Sequence, residues 1–230
     1  MLYTEQRTKL ISVTSDLIAN ELLECTGGML ALRVSPDHLL TSTFGAGFRR
    51  WRLGLDDFIV CDNEGNVVEK HEHVGPASML MILELFRMFP SCGAVLHSHA
   101  EFSLAFASLD RTMALRQPDL SVSEVPCLRA DDQNIKEDYL RNPYPVKVPA
   151  AMPYRPEVVA VSQHLLPQLK AKLGHRGEEL AGYGLAYTSY RHGLTVLASN
   201  IDDAFDAMAR IEAQARTYIV GASITGSEAL

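Results

Sequence analysis

The sequence predicts one α/β domain, and three observations carry that expectation. Segments with apolar residues at helical spacing alternate with short apolar runs of strand length. Glycine and proline mark most of the boundaries between them. The chain has 230 residues, of which 47% are hydrophobic, enough for one sizeable core over residues 1–230 without an obvious linker, repeat or low-complexity tract.

The elements follow in order. Residues 5–24 read as an amphipathic helix, with Leu10, Val13, Leu17, Ile18 and Leu22 on one side, and Gly27-Gly28 as its stop. Met29 to Val34 is a strand, Pro36-Asp37 a turn, and His38 to Thr43 a returning strand. A loop with two glycines, Phe44 to Phe48, leads into Arg49-Arg50-Trp51-Arg52, the only dense basic cluster. That cluster is either a solvated face or an anion-binding loop, since arginine forks match carboxylate and phosphate. Asp57 to Cys61 is a strand, residues 62–66 a hairpin-like turn, and Val67 to Lys70 a strand pairing back. Met79 to Phe89 is a strongly apolar helix ended by Pro90, with Met81, Leu85 and Met88 read as core.

Cys92 to His99 is a buried strand, followed by a helix over Ala100 to Ser108 and a strand from Leu120 to Cys127 that carries Glu124. Prolines keep helices out of residues 129–155, an irregular stretch long enough to suggest function. Glu157 to Leu173 is a helix, Tyr183 to Tyr190 and Leu194 to Leu197 are strands, and Ser199 or Asn200 caps a last long helix with Tyr218 near its end.

Composition excludes several functions. A net charge of −7 and a pI near 5.6 disfavour nucleic acid as the main partner, because a phosphate backbone calls for a basic surface. Mean hydropathy is +0.00 and no apolar run is long enough to span a bilayer, so no membrane partner is expected. The N-terminus lacks a signal-peptide pattern. Cys25, Cys61, Cys92 and Cys127 are scattered, mostly within apolar segments, as reduced thiols of a cytoplasmic protein would be.

The chemistry concentrates at His97-Ser98-His99. Side chains alternate along a strand, so both imidazoles leave the same face of its end. Neutral imidazole is a good ligand for zinc and similar ions. A second His-x-His, His71-Glu72-His73, is flanked by charge rather than by a buried run, and a surface or pocket-rim role is expected for it. A third ligand is available in His192, between two strands and before a glycine.

The order of Gly-Ala-Val-Leu-His97-Ser98-His99, then His192-Gly193, then a capped helix carrying Glu212-Ala213-Gln214-Ala215, resembles the class II aldolase/adducin family of the fuculose-phosphate aldolase type. The resemblance extends from Gly27-Gly28 to Tyr218 and is weakest around 128–155. It implies a three-layer α/β/α fold with a central, mainly antiparallel sheet. It also implies a divalent metal on His97, His99 and His192, most often zinc with manganese or iron(II) as alternatives, and a homotetramer with sites near subunit interfaces. The expected activity is that of a metal-dependent lyase of aldolase, dehydratase or decarboxylase type, acting on a small hydroxy or oxo acid or a sugar-derived substrate through a metal-stabilised enolate.

The sequence departs from the family pattern where substrate is held. Gly28-Met29 stands for the usual Gly-Asn, Ala31 for a serine, and Thr43-Phe44-Gly45 for Ser-Gly, so the phosphate grip is weakened. The family's Pro-Ser-Ser-Glu falls on Gly75-Pro76-Ala77-Ser78, which puts serine where the acid/base glutamate would be. Glu72, Glu124 and Tyr218 are the candidates to replace it. Gly28, Thr43, Ser78, Arg49, Arg50 and Arg52 are the candidate substrate contacts, the arginines as a carboxylate clamp. Two other readings stay open: an epimerase or iron-dependent oxygenase on the same histidines, and a non-catalytic adducin-like binding protein.

Overall fold

The computed structural model describes residues 1–24, 27–69, 72–119, 121–130, 141, 149–152 and 156–225. Among these are five helices: α1 (Thr4–Ala19), α2 (Met79–Met88), α3 (Glu101–Ala107), α4 (Pro156–Leu173) and α5 (Ile201–Thr225). The strands are β1 (Met29–Arg33), β2 (His38–Ser42), β3 (Phe58–Asp62), β4 (Ala94–Ser98), β5 (Met113–Arg116), β6 (Val122–Val125), β7 (Cys127–Leu128), β8 (Leu185–Ser189) and β9 (Gly193–Ala198).

Seven strands form one sheet in the order β3-β2-β1-β4-β9-β8-β7, antiparallel throughout except for the parallel β7–β8 pair. Both faces are covered. Leu30, Leu96, Val196 and Ala186 pack with α1, α3 and α5. Met29, Val95, Leu197 and Tyr187, one residue out of step, pack with α2 and α4. The period-2 alternation of strand side chains thus yields an α/β/α sandwich, and β4 and β9, near its middle, are buried at every position.

Several boundaries differ from expectation. The first helix ends at Ala19, not near residue 24, because Glu21 takes a left-handed conformation (φ 59°). That turn lets Leu22 and Leu23 drop into the core instead of following the helical face. The strand expected over 120–127 is cut at Pro126, which has no N–H to donate. Its first part, β6, pairs with β5 in a separate two-stranded sheet, and only β7 joins the main one. The expected strand after residue 66 contributes one bridge, Cys61 to Val67. Asn200, not Ser199, caps α5: its Oδ1 accepts from the backbone N–H of Asp202 and Asp203 at 3.0 and 2.9 Å. Most of the irregular stretch expected at 129–155, and Cys25, lie outside the described residues. Cys61, Cys92 and Cys127 are buried free thiols, and burial pushes the first two up to about 12. No helix among the described residues is long and apolar enough to cross a membrane.

One contact within the α1, α3 and α5 layer bears directly on the site. Glu212 of α5 accepts from the backbone N–H of Phe102 and Ser103 at 2.8 Å and from the Ser103 hydroxyl at 2.5 Å. It thereby satisfies the otherwise unpaired first turn of α3, which begins two residues after His99. We predict that Glu212→Ala lowers unfolding stability in urea by about 2 kcal/mol, the scale of losing a charged helix cap, and that Glu212→Gln recovers part of it.

Candidate metal centre

His97 lies near the end of β4, where β1 and β9 clamp it: it is opposite Met29 on one side and Thr195 on the other. The register continues to Tyr187 on β8, so Met29, His97, Thr195 and Tyr187 form one row across four strands. His99 follows just past the strand end on the same face. His192 sits in the β8–β9 turn, between left-handed Arg191 (φ 53°) and Gly193 (φ 143°), with its own N–H on Ser189 O at 2.9 Å.

The three imidazoles converge. His97 and His99 bring their Nε2 atoms to 3.1 Å. The His97 and His192 rings stack with centroids 5.0 Å apart, and His99 meets His192 edge-on at 4.9 Å. One donor nitrogen from each lies within 4.8 Å of the others. Two nitrogens at roughly 2.0–2.1 Å from a tetrahedral ion are about 3.3 Å apart, so the His97–His99 spacing suits a shared ligand. Two glycines make room for the His99 ring. A Cβ on Gly27 would lie 2.3 Å from His99 Cε1, and one on Gly193 would lie 2.3 Å from Ser98 O and 2.9 Å from His99 Cδ2.

Burial and their neighbours keep the His97 and His99 rings neutral. Burial holds His97 well below the usual histidine range, with His192 and His99 adding to the effect. Burial and then His192 lower His99 to about 4. Neutral imidazole is the form that ligates a metal. Thr195 Oγ1 pairs with His97 Nδ1 at 3.0 Å, fixing the ring with Nε2 toward the centre. The Thr195 hydroxyl also faces the Tyr187 hydroxyl, whose pKa burial raises to about 12. The donor set and its outer partner therefore fit a divalent ion held by three protein ligands with positions left for substrate.

The triad forms one end of a cavity of about 480 Å³. Gly28, Thr43 and Ser78 line it, Ser78 from the position just before α2. The other candidates lie elsewhere. Arg49 is paired with Asp57 and donates to Thr43 Oγ1 at 2.7 Å, a structural role in holding the turn after β2. Arg50 and Arg52 are exposed and outside the lining, because the 3₁₀ turn Gly47–Arg49 sends the chain back with only Trp51 tucked in. Glu72 is exposed in the coil before α2, also outside the lining. Glu124 is exposed on β6, carried off by the Pro126 break into a polar groove with His175 and Glu178. The Tyr218 hydroxyl donates to Ala114 O at 3.0 Å and its ring packs on Phe106. Of the second His-x-His, His73 is exposed and His71 is outside the described residues. Met81 and Leu85, read as core, are buried but also face the cavity. The sequence does not mark Thr195 and Tyr187 as site residues. A threonine inside the apolar run Leu194 to Leu197, and tyrosines spaced along 183–190, are the only signals the sequence offers for them.

A family model for the class II aldolase and adducin N-terminal domain matches residues 8–219. The chain belongs to that family. Among solved structures, an L-fuculose 1-phosphate aldolase is 18% identical, covering 97% of this chain and 89% of its own, with a TM-score of 0.67. YgbL from Klebsiella pneumoniae is 19% identical over 96% and 91%, with a TM-score of 0.68. L-fuculose-1-phosphate aldolase from Thermus thermophilus is 16% identical over 95% of both chains, at 0.65. At these identities the shared property is the fold, and the α/β/α sandwich described above is that fold. The family's aldolases depend on a divalent metal, and the His97, His99 and His192 cluster offers a place for one.

Metal-free protein should respond to pH through His97 and His99. The denatured chain takes up a proton near pH 6.5 whereas native His99 resists until about 4. Stability is therefore complete above pH 6.5 and falls as pH drops through that window. Thermal melts of chelator-treated protein from pH 8 to 4 should show the fall, and His99→Gln should flatten part of it.

Proposed function

We propose that this chain is a metal-dependent lyase that cleaves a carbon–carbon or carbon–oxygen bond in a small hydroxy or oxo acid, with decarboxylation as the favoured form. The observation that carries the reading is the convergence of three imidazoles in a cavity with no carboxylate, lysine or arginine among its described lining residues. His97, His99 and His192 are the proposed ligands, and zinc suits an all-nitrogen donor set of this size, with manganese and iron(II) as competitors.

When bound, the ion supplies Lewis-acid stabilisation of negative charge developing on a substrate oxygen. The protein's own part is positional. Thr195 sets the His97 ring, Gly27 and Gly193 set that of His99, and the turn at Arg191 and Gly193 presents His192. Tyr187, protonated at neutral pH, is a hydrogen-bond donor beside that set. Ser78 stands where the family's glutamate would act, and a serine hydroxyl is a poor general base. In a 3-oxo acid, loss of carbon dioxide breaks the carbon–carbon bond and passes its electron pair to the 3-oxo oxygen as an enolate, with no proton to be removed first. Aldol cleavage needs a base for the hydroxyl proton and dehydration one for the α-proton, and so both fit a cavity with no carboxylate among its described lining residues less well. The reading further includes one catalytic domain over 1–230, a homotetramer, a small-molecule substrate and a cytoplasmic setting, supported by family membership and by an acidic pI of 5.6.

Elemental analysis of wild-type protein should find near one metal per chain, lost in His97→Ala and His192→Ala. Protein that stays metal-free after incubation with zinc, manganese and iron(II) defeats the enzyme reading, and oxygen uptake requiring iron(II) replaces lyase with oxygenase. Thr195→Val should keep the fold and weaken metal affinity about 10–100-fold, the usual scale for removing a partner of a ligating histidine, measured by competition with a chromogenic chelator.

A further inference from the structure

The cavity has two unlike ends. On the side of α2 and α4 its wall is made by Met81, Ile82 and Leu85 of α2 and by Val158, Val161 and Leu165 of α4, with Ser162 among them, its hydroxyl donating to Val158 O at 2.9 Å. The spacing i, i+1, i+4 on one helix and i, i+3, i+7 on the other places each trio on one helical face. Both helices also contribute to the core beneath the sheet, so this wall is continuous with packed interior and held in place by it. A polyol or a phosphosugar laid against it would lose hydrogen bonds to water and find only the Ser162 hydroxyl, whose proton is already given to Val158 O, a loss that counts against each unpaired hydroxyl. An alkyl or aryl group would instead gain by leaving water. A volume of about 480 Å³ leaves room for such a group beyond the histidines.

We infer that the substrate is amphiphilic: an oxygen-bearing acid head at the three histidines and an alkyl or aryl tail against the α2–α4 wall. This rests on the proposed lyase reading for the head, while the tail site rests on the wall alone. Substrate choice then follows from two helices whose apolar residues the sequence would assign to core.

Calorimetric titration separates the two parts. Metal-free protein is titrated with n-propanol through n-hexanol, and zinc-loaded protein with propanoate through heptanoate. The tail site predicts that each added methylene tightens binding by about fourfold in both series. Val161→Trp, filling the half-buried wall position, should end that gain at a shorter chain. If the bulky side chain unfolds α4, Val161→Thr, of equal volume, should reduce the gain per methylene. Affinity that does not change with chain length, or hexanol binding no tighter than a polyol of similar size, overturns the inference even if the acids bind through zinc. A preserved chain-length gain with acids no tighter than alcohols leaves the tail site standing and removes the metal-anchored head.

Discussion

The cross-strand register of β1, β4, β9 and β8 is the constraint on which the site depends. It puts Met29, His97, Thr195 and Tyr187 in one row on the face beneath α2 and α4. A one-residue slip of β4 against β9 would turn His97 to the opposite face and bring Val196, an apolar core residue, into Thr195's row. Burial on both faces makes such a slip expensive, because every strand position from Ala94 to Ala198 in this pair is packed. The position of the most buried histidine is thus fixed by the hydrophobic ordering of the sheet, and its ring orientation by Thr195.

The other two histidines are set by backbone geometry at the sheet's edge. His99 follows the last strand residue and precedes α3, whose first turn is tied to α5 through Glu212. His192 rides a turn that needs a residue without a Cβ at position 193, since Ser98 O leaves no space for one. Strand end, helix start and tight turn meet at one point. Polar side chains there face a cavity, while the same elements a few residues away bury leucine and valine.

The departures from the family pattern also make physical sense together. With serine at 78 and no carboxylate, lysine or arginine among the described lining residues, the proposed ion would be the one positive charge facing an acid substrate there. A developing negative charge opposite such an ion, in a pocket walled by apolar side chains, is stabilised more than it would be in water. The same walls disfavour a strongly hydrated phosphate. Arg49, the candidate nearest the cavity in sequence, is spent on structure, paired with Asp57 and Thr43.

By itself the sequence determined the α/β alternation, the strand carrying His97, the helix that opens near residue 79, the long capped helix after Asn200 and the three histidines as a candidate ligand set. These are local signals: periodicity, caps, and two imidazoles two residues apart. The tertiary structure decided what depends on distance through space. It brought His192 to His97 across some ninety residues, put Thr195 behind His97 through strand register, and sent Glu124 away because Pro126 interrupts the ladder. It also gave Met81 and Leu85 a cavity to face, which no pattern could reveal, since a buried wall residue and a core residue obey the same hydrophobic period. Arg50 and Arg52 illustrate the converse: a basic cluster in sequence states charge but not direction, and direction is set by how the turn after Gly47 folds back.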